Sequence, residues 1–123
     1  MYTGTHLLAD LTGCRGLDDV ARVERALREA VAAATATLLD VRLHHFGPGQ
    51  GVTGVALLAE SHISIHTWPE HGYAAVDIFL CGDSHDLDAA LAALSTRLEA
   101  SGCEQRRVAR GYGLPVPTSP PSP

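Results

Sequence analysis

Val52-Thr53-Gly54-Val55-Ala56-Leu57-Leu58, Ser61-His62-Ile63-Ser64-Ile65-His66-Thr67-Trp68 and Tyr73-Ala74-Ala75-Val76-Asp77-Ile78-Phe79-Leu80 form three strand-like runs in succession. The first is apolar, the second sets Ile63 and Ile65 against Ser64 and His66, and the third is again largely apolar. Only Ala59-Glu60 separates the first run from the second, and Pro69-Glu70-His71-Gly72 between the second and third is a turn signal. Connections this short join antiparallel neighbours, because a parallel pair needs a crossover of a dozen or more residues. The middle of the chain is therefore expected to be an antiparallel sheet.

Toward the N-terminus, residues 40–46 alternate Val41 and Leu43 with Arg42 and His44, a half-buried strand that stops at Gly47-Pro48-Gly49-Gln50-Gly51, a hairpin or ligand-facing loop. Over residues 18–38, Val20, Val23, Leu27, Val31, Ala34 and Leu38 fall on one helical face, with Asp18 and Asp19 suited to the first turn. Residues 5–11 read as a strand ended by Thr12-Gly13. Toward the C-terminus, Leu87, Leu91, Leu94 and Leu98 predict a helix over residues 85–100, capped by Asp83 or Ser84, and residues 103–110 predict an exposed, arginine-rich edge strand. The order β-α-β-β-β-β-α-β implies the α+β class, a two-layer αβ sandwich with an antiparallel sheet and two helices on one face. Two helices cannot cover both faces of the sheet, so one face is left for a partner.

The chain has 123 residues, enough for one domain that buries roughly two thirds of its unfolded surface without disulfides or metal. Residues 1–111 are expected to form that domain. The proline-rich segment 112–123, ending Thr118-Ser119-Pro120-Pro121-Ser122-Pro123, is expected to be disordered. At 46% hydrophobic and 19% charged, the composition is that of a soluble globular protein. No apolar run is long enough to span a membrane and no secretory signal is visible, so a cytoplasmic location is expected. A net charge of −5 and dispersed arginines argue against nucleic acid as a partner. Cys14, Cys81 and Cys103 lack the pairing and CxxC spacing of a disulfide framework or zinc site. There is no lysine, which excludes pyridoxal phosphate in its usual Schiff-base form.

The unusual residues concentrate between His44 and Asp83. His62 and His66 share a strand face and offer two metal ligands, as does the pair His44-His45, but no third ligand stands at a suitable spacing. A serine hydrolase built on Ser61 or Ser64 with His66 lacks the G-x-S-x-G elbow. On spacing alone, a polar-faced strand of a soluble protein is the better reading of the segment.

The run Glu60-Ser61-His62-Ile63-Ser64-Ile65-His66-Thr67-Trp68-Pro69-Glu70, with Gly51-Val52-Thr53-Gly54-Val55, Gly72-Tyr73-Ala74-Ala75-Val76-Asp77-Ile78-Phe79 and Cys81-Gly82, closely resembles the prokaryotic S-adenosylmethionine decarboxylase proenzymes. The likeness covers roughly residues 5–110. It implies that the Ser61 hydroxyl attacks the Glu60 carbonyl in an N-to-O acyl shift and that β-elimination then releases residues 1–60 as a β chain. Ser61 of the α chain, 61–123, would become a covalent pyruvoyl group that forms a Schiff base with the substrate amine. The resemblance assigns His66 as the base of the elimination, a task that suits imidazole. It gives Thr53 the place of a hydroxyl that supports the cleavage intermediate, and Cys81 that of the proton donor after carbon dioxide leaves.

By the same resemblance Phe46 and Trp68 would flank an adenine ring and Glu70 would bind ribose hydroxyls or the amine, with no metal and no pyridoxal phosphate. As residues alone, Phe46 and Trp68 read equally as core aromatics, and Cys81, Cys14 and Cys103 as structural thiols. The loop 47–51 is longer than in some relatives. The resemblance implies a homodimer with active sites at or near the subunit interface, making the aminopropyl donor for spermidine synthesis. Two alternatives remain open: an ornithine or arginine decarboxylase on the same scaffold, and an uncleaved, non-catalytic binding module that would run as one band of 13.0 kDa.

Overall fold

Alternation in the three central runs places Val52, Ala56 and Leu58, Ile63 and Ile65, and Ala74, Val76, Ile78 and Leu80 on one side of the chain, all of them buried. The computed structural model, which describes residues 3–111, assembles six strands on this pattern: β1 (Thr3–Thr12), β2 (Leu38–His45), β3 (Val52–Leu58), β4 (His62–Trp68), β5 (Tyr73–Leu80) and β6 (Gly102–Gly111). They form a single antiparallel sheet in the order β2-β3-β4-β5-β1-β6. Helix α1 (Val20–Ala33) connects β1 to β2, and α2 (Leu87–Arg97) connects β5 to β6. Both helices pack on the same side, α1 over β2 and β3 and α2 over β5 and β1, and they touch each other. The expected α+β two-layer sandwich is the observed architecture.

The core is the seam between these layers. Val23, Ala26, Leu27, Ala30 and Val31 of α1 and Leu87, Ala90, Leu91 and Leu94 of α2 face the buried side chains of β1, β3, β4 and β5. Gly54 lets α1 approach the sheet, since a Cβ there would lie 3.0 Å from Leu27 Cδ1 and 3.3 Å from Ile65 Cγ2. Among the described residues Thr67 is the buried polar exception. Its hydroxyl donates to the Leu17 carbonyl at 2.8 Å and accepts the Val52 N–H at 2.8 Å, tying the approach to α1 and the start of β3 to the end of β4. Gly72, at φ 58°, closes the turn from β4 into β5, where a residue with a Cβ would be strained.

The helix ends differ from their sequence expectations. The first helix stops at Ala33, not Leu38: Ala34 is its C-cap and Thr35 turns left-handed at φ 58°, so Leu38 opens β2. The helical spacing runs on through Ala34 and Leu38 because both still face the core, one from the cap and one from the strand. The second helix is capped by Asp86, whose side chain accepts the Ala89 N–H, and not by Asp83 or Ser84. Ser84 and His85 instead donate their N–H groups to the Cys81 carbonyl in a turn before the helix. The edge strand expected over residues 103–110 is β6, exposed along most of its length. Among the described residues no helix is long and apolar enough to cross a membrane. The segment 112–123 lies outside the described residues.

Candidate active site

Opposite the helices the sheet is open. Register places Thr53 beside His66, Val55 beside Ser64 and Leu57 beside His62, and these pair in turn with Ala75, Asp77 and Phe79. β1 adds His6 beside Phe79 and Leu8 beside Asp77. Leu8, Leu57, Trp68 and Val108 are exposed on this surface. A groove of about 560 Å³ runs along it between Leu8, Asp10, Ser64, Asp77 and Arg106.

The candidate residues divide between the two ends of β4. At its N-terminal end, Ser61 lies just outside the ladder, in a turn closed by the Leu58 N–H donating to the Ser61 carbonyl at 2.8 Å. Glu60 is anchored there: one carboxylate oxygen accepts the Thr37 N–H at 3.1 Å and the other lies 3.9 Å from His85 Nε2. His85 is only 8% exposed, and its Nδ1 is buried without a hydrogen-bond partner among the described residues. The hydrogen bond from the Thr37 N–H holds the Glu60 carboxyl below its ordinary range. Cys81 follows β5 at this same end; its carbonyl accepts the His85 N–H at 3.0 Å, and the Ser84 hydroxyl is 3.9 Å from its sulfur. Glu60, Ser61 and Cys81 therefore gather at one end of the sheet.

Thr53 and His66 are at the other end, with Thr53 Oγ1 3.1 Å from His66 Nδ1. A cleft of about 380 Å³ opens beside them, lined by Phe46, Gly51, Trp68 and Glu70. Phe46 is 60% exposed and Trp68 42%, so neither is a core aromatic. Trp68 stacks on Tyr73 with ring centroids 5.2 Å apart, and His44 meets Phe46 edge-on at 4.6 Å. The Tyr73 hydroxyl donates to Asp10, which pushes the phenol above its ordinary value. Five residues of extended chain separate Ser61 from His66, about 16 Å at the rise of a strand. One chain does not bring its own His66 to its own Ser61.

A third group joins Ser61 and His62 to His6 and Asp77, a pairing the sequence did not single out. His6 Nδ1 is 3.0 Å from Asp77 Oδ1, Asp77 Oδ2 is 3.7 Å from His62 Nε2, and His62 Nδ1 is 3.4 Å from Ser61 Oγ. His6 stacks on Phe79 at 4.0 Å, and Arg110 donates to His6 Nε2 at 3.0 Å. The sequence signal for its link to His6 is Asp77, a lone carboxylate inside an apolar strand. Cys14 is buried, which raises its thiol pKa, and Cys103 is exposed on β6 with a thiol also raised, first by desolvation and then by Asp10.

Comparison with known proteins shows the family and the fold. The family model for S-adenosylmethionine decarboxylase matches residues 5–111. The chain is 47% identical over 108 residues to the S-adenosylmethionine decarboxylase proenzyme of Thermomicrobium roseum, spanning 88% of this chain and 93% of that protein. It is 47% identical over 112 residues to the proenzyme of Methanococcus aeolicus, spanning 89% and 95%. The crystal structure of adenosylmethionine decarboxylase from Aquifex aeolicus superposes with a TM-score of 0.81 at 39% identity, covering 94% of this chain and 97% of that one. Matches that span nearly the whole sheet and both ends of β4 establish that the chain belongs to the S-adenosylmethionine decarboxylase family.

Proposed function

We propose that this chain is a proenzyme that cuts itself between Glu60 and Ser61, converts Ser61 into a pyruvoyl group and then decarboxylates S-adenosylmethionine to the aminopropyl donor for spermidine synthesis. The observation that carries the reading is the placement of the Glu60-Ser61 bond: outside the strand ladder, in a turn, with the Glu60 side chain anchored and the Cys81 loop beside it. Cleavage there breaks no rung of the sheet. It also leaves the pieces interlocked, because β1 of the N-terminal fragment lies between β5 and β6 of the other, and β3 remains paired with β4. The residues at this end of β4 thus fit a covalent group formed from Ser61. Such a group supplies a conjugated carbonyl that accepts the electrons left when the carboxylate departs.

The remaining residues act around it. Cys81, on the loop at this end, carries the proton delivered to the carbon that lost carbon dioxide. Phe46 and Trp68 offer faces to a purine, Glu70 offers a carboxylate to ribose hydroxyls, and the cleft between them excludes water from one side of the substrate. His66, oriented by Thr53, takes the α-proton of Ser61 in the elimination.

In this account His66 comes from a second copy. Two open sheet faces stacked about a two-fold axis that lies between them and crosses β4 near Ser64 reverse the strand direction from one copy to the other. That operation lays the Ser61 end of each β4 against the partner's His66 end. It joins the two halves of the site twice per dimer and covers Leu8, Leu57, Trp68 and Val108. The exposed apolar face and the distance from Ser61 to His66 support a homodimer on these grounds. Decarboxylation assays with S-adenosylmethionine, ornithine and arginine test the substrate. Carbon dioxide release from S-adenosylmethionine alone is expected, and release from either other amino acid would replace that assignment.

A further inference from the structure

An N-to-O acyl shift begins when the serine hydroxyl loses its proton, and the network on the open face supplies a group for that step. Arg110 can only donate, so its contact with His6 Nε2 requires a lone pair there and puts the His6 proton on Nδ1, from which it is donated to Asp77 Oδ1. Asp77 keeps its second oxygen toward His62 Nε2 at 3.7 Å. A carboxylate beside Nε2 favours the tautomer protonated at that atom. The lone pair of His62 then sits on Nδ1, the nitrogen 3.4 Å from Ser61 Oγ. Arg110, His6 and Ser61 each have an acceptor under this one assignment, and the His62 Nε2–H faces Asp77 across 3.7 Å, an electrostatic contact longer than a hydrogen bond.

We propose that His62 is the catalytic base that takes the Ser61 hydroxyl proton in the first step of self-cleavage, with Asp77 as the positioning residue that holds its tautomer. The inference rests on the self-cleavage reading above. The proton of Ser61 Oγ passes to His62 Nδ1 as the oxygen bonds to the Glu60 carbonyl carbon. The carbon–nitrogen bond between Glu60 and Ser61 then breaks, and the proton on His62 returns to the departing Ser61 nitrogen. The product is an ester with a free α-amine, and no atom or electron is gained or lost. Spacings of this length in the unreacted chain shorten as the proton moves. Asp77 plays the part that an acid plays behind a histidine base elsewhere, fixing orientation and stabilising the imidazolium.

The test is the fate of the Glu60-Ser61 bond in freshly purified full-length wild type, His62→Ala and Asp77→Asn, followed by gel and intact mass with and without hydroxylamine, which cuts the ester and spares the amide. Both variants are expected to stay intact and hydroxylamine-resistant, with loss of intact chain slowed by about 100-fold or more. Asp77→Asn keeps the side-chain size, so it decides the matter should His62→Ala fail to fold by circular dichroism. Cleavage of a folded variant at the wild-type rate, or an intact chain that hydroxylamine cuts, would overturn the assignment, because the ester would then form without His62 or its tautomer. A wild type that never cuts at Glu60-Ser61 would instead overturn the self-cleavage reading beneath it.

Discussion

Ser61 and His66 illustrate how much of the site depends on residues whose neighbours only the sheet supplies. Under the account above, Ser61→Ala leaves an uncut chain, since no hydroxyl remains to attack Glu60. His66→Ala leaves an ester that hydroxylamine splits, because the α-proton has no base. Cys81→Ala is expected to cut normally and to lose about 100-fold or more in the rate of decarboxylation, the scale of a missing general acid. A stopped-flow or carbon dioxide assay on the cleaved variant checks this, and unchanged turnover would remove Cys81 from the mechanism.

Glu60 carries a pH signature. Its folded-state pKa is lowered, mainly by the Thr37 N–H it accepts, so its anchoring is fully present above the ordinary glutamate value of about 4.3 and is lost as the pH falls through the folded value. In uncut Ser61→Ala protein, the Thr37 amide resonance should titrate with a midpoint below that ordinary value. A midpoint at or above it would contradict the anchor. The family resemblance singled out Thr53, Glu60, Ser61, His66 and Cys81 one by one. His6, Asp77 and His85 were not, because each is a single polar residue in an unremarkable local sequence and gains meaning only from a neighbour on another strand or turn.

Period-two alternation made the strands readable, since Ile63 and Ile65 or Val76 and Ile78 must point to one side wherever the strand lies. The helix ends were not readable from periodicity. Ala34 and Leu38 continue the apolar spacing of α1 although the chain has already turned at Thr35, and Asp86 outcompetes Asp83 and Ser84 because those two lie in the turn that folds back on the Cys81 carbonyl. Packing at this scale yields a clear expectation for Thr67, whose buried hydroxyl joins Leu17 and Val52. Thr67→Val leaves the Val52 N–H without its partner and should cost about 1–3 kcal/mol by denaturant unfolding. A stability equal to wild type would mean that this hydroxyl does not tie the start of β3 to the end of β4. Leu27→Ala, which empties the contact of α1 with Gly54 and the sheet, should cost about 2–5 kcal/mol in the same assay.

For the whole molecule, the β-α-β-β-β-β-α-β order predicted both the two-layer form and the uncovered face. It did not reveal that Cys81 lies at the Ser61 end of β4 and Thr53 at the His66 end, because that depends on which strand lies beside which. The split has a consequence in trans. A Ser61→Ala chain lacks only the nucleophile and a His66→Ala chain only the elimination base, so a mixed dimer restores one complete site. Co-expression should release the elimination products of the His66→Ala chain alone; no processing in verified mixed dimers would contradict the exchange of half-sites. Because β1 lies between β5 and β6, the two fragments should also co-elute after cleavage without denaturant. Self-cleavage is read most directly from the intact mass of the purified wild-type protein under denaturing conditions. Fragments of residues 1–60 and 61–123 are expected, the second lighter by one ammonia than a fragment beginning with serine; a single mass of 13.0 kDa, or a second fragment that retains an ordinary N-terminal serine, would rule out self-cleavage at Glu60-Ser61.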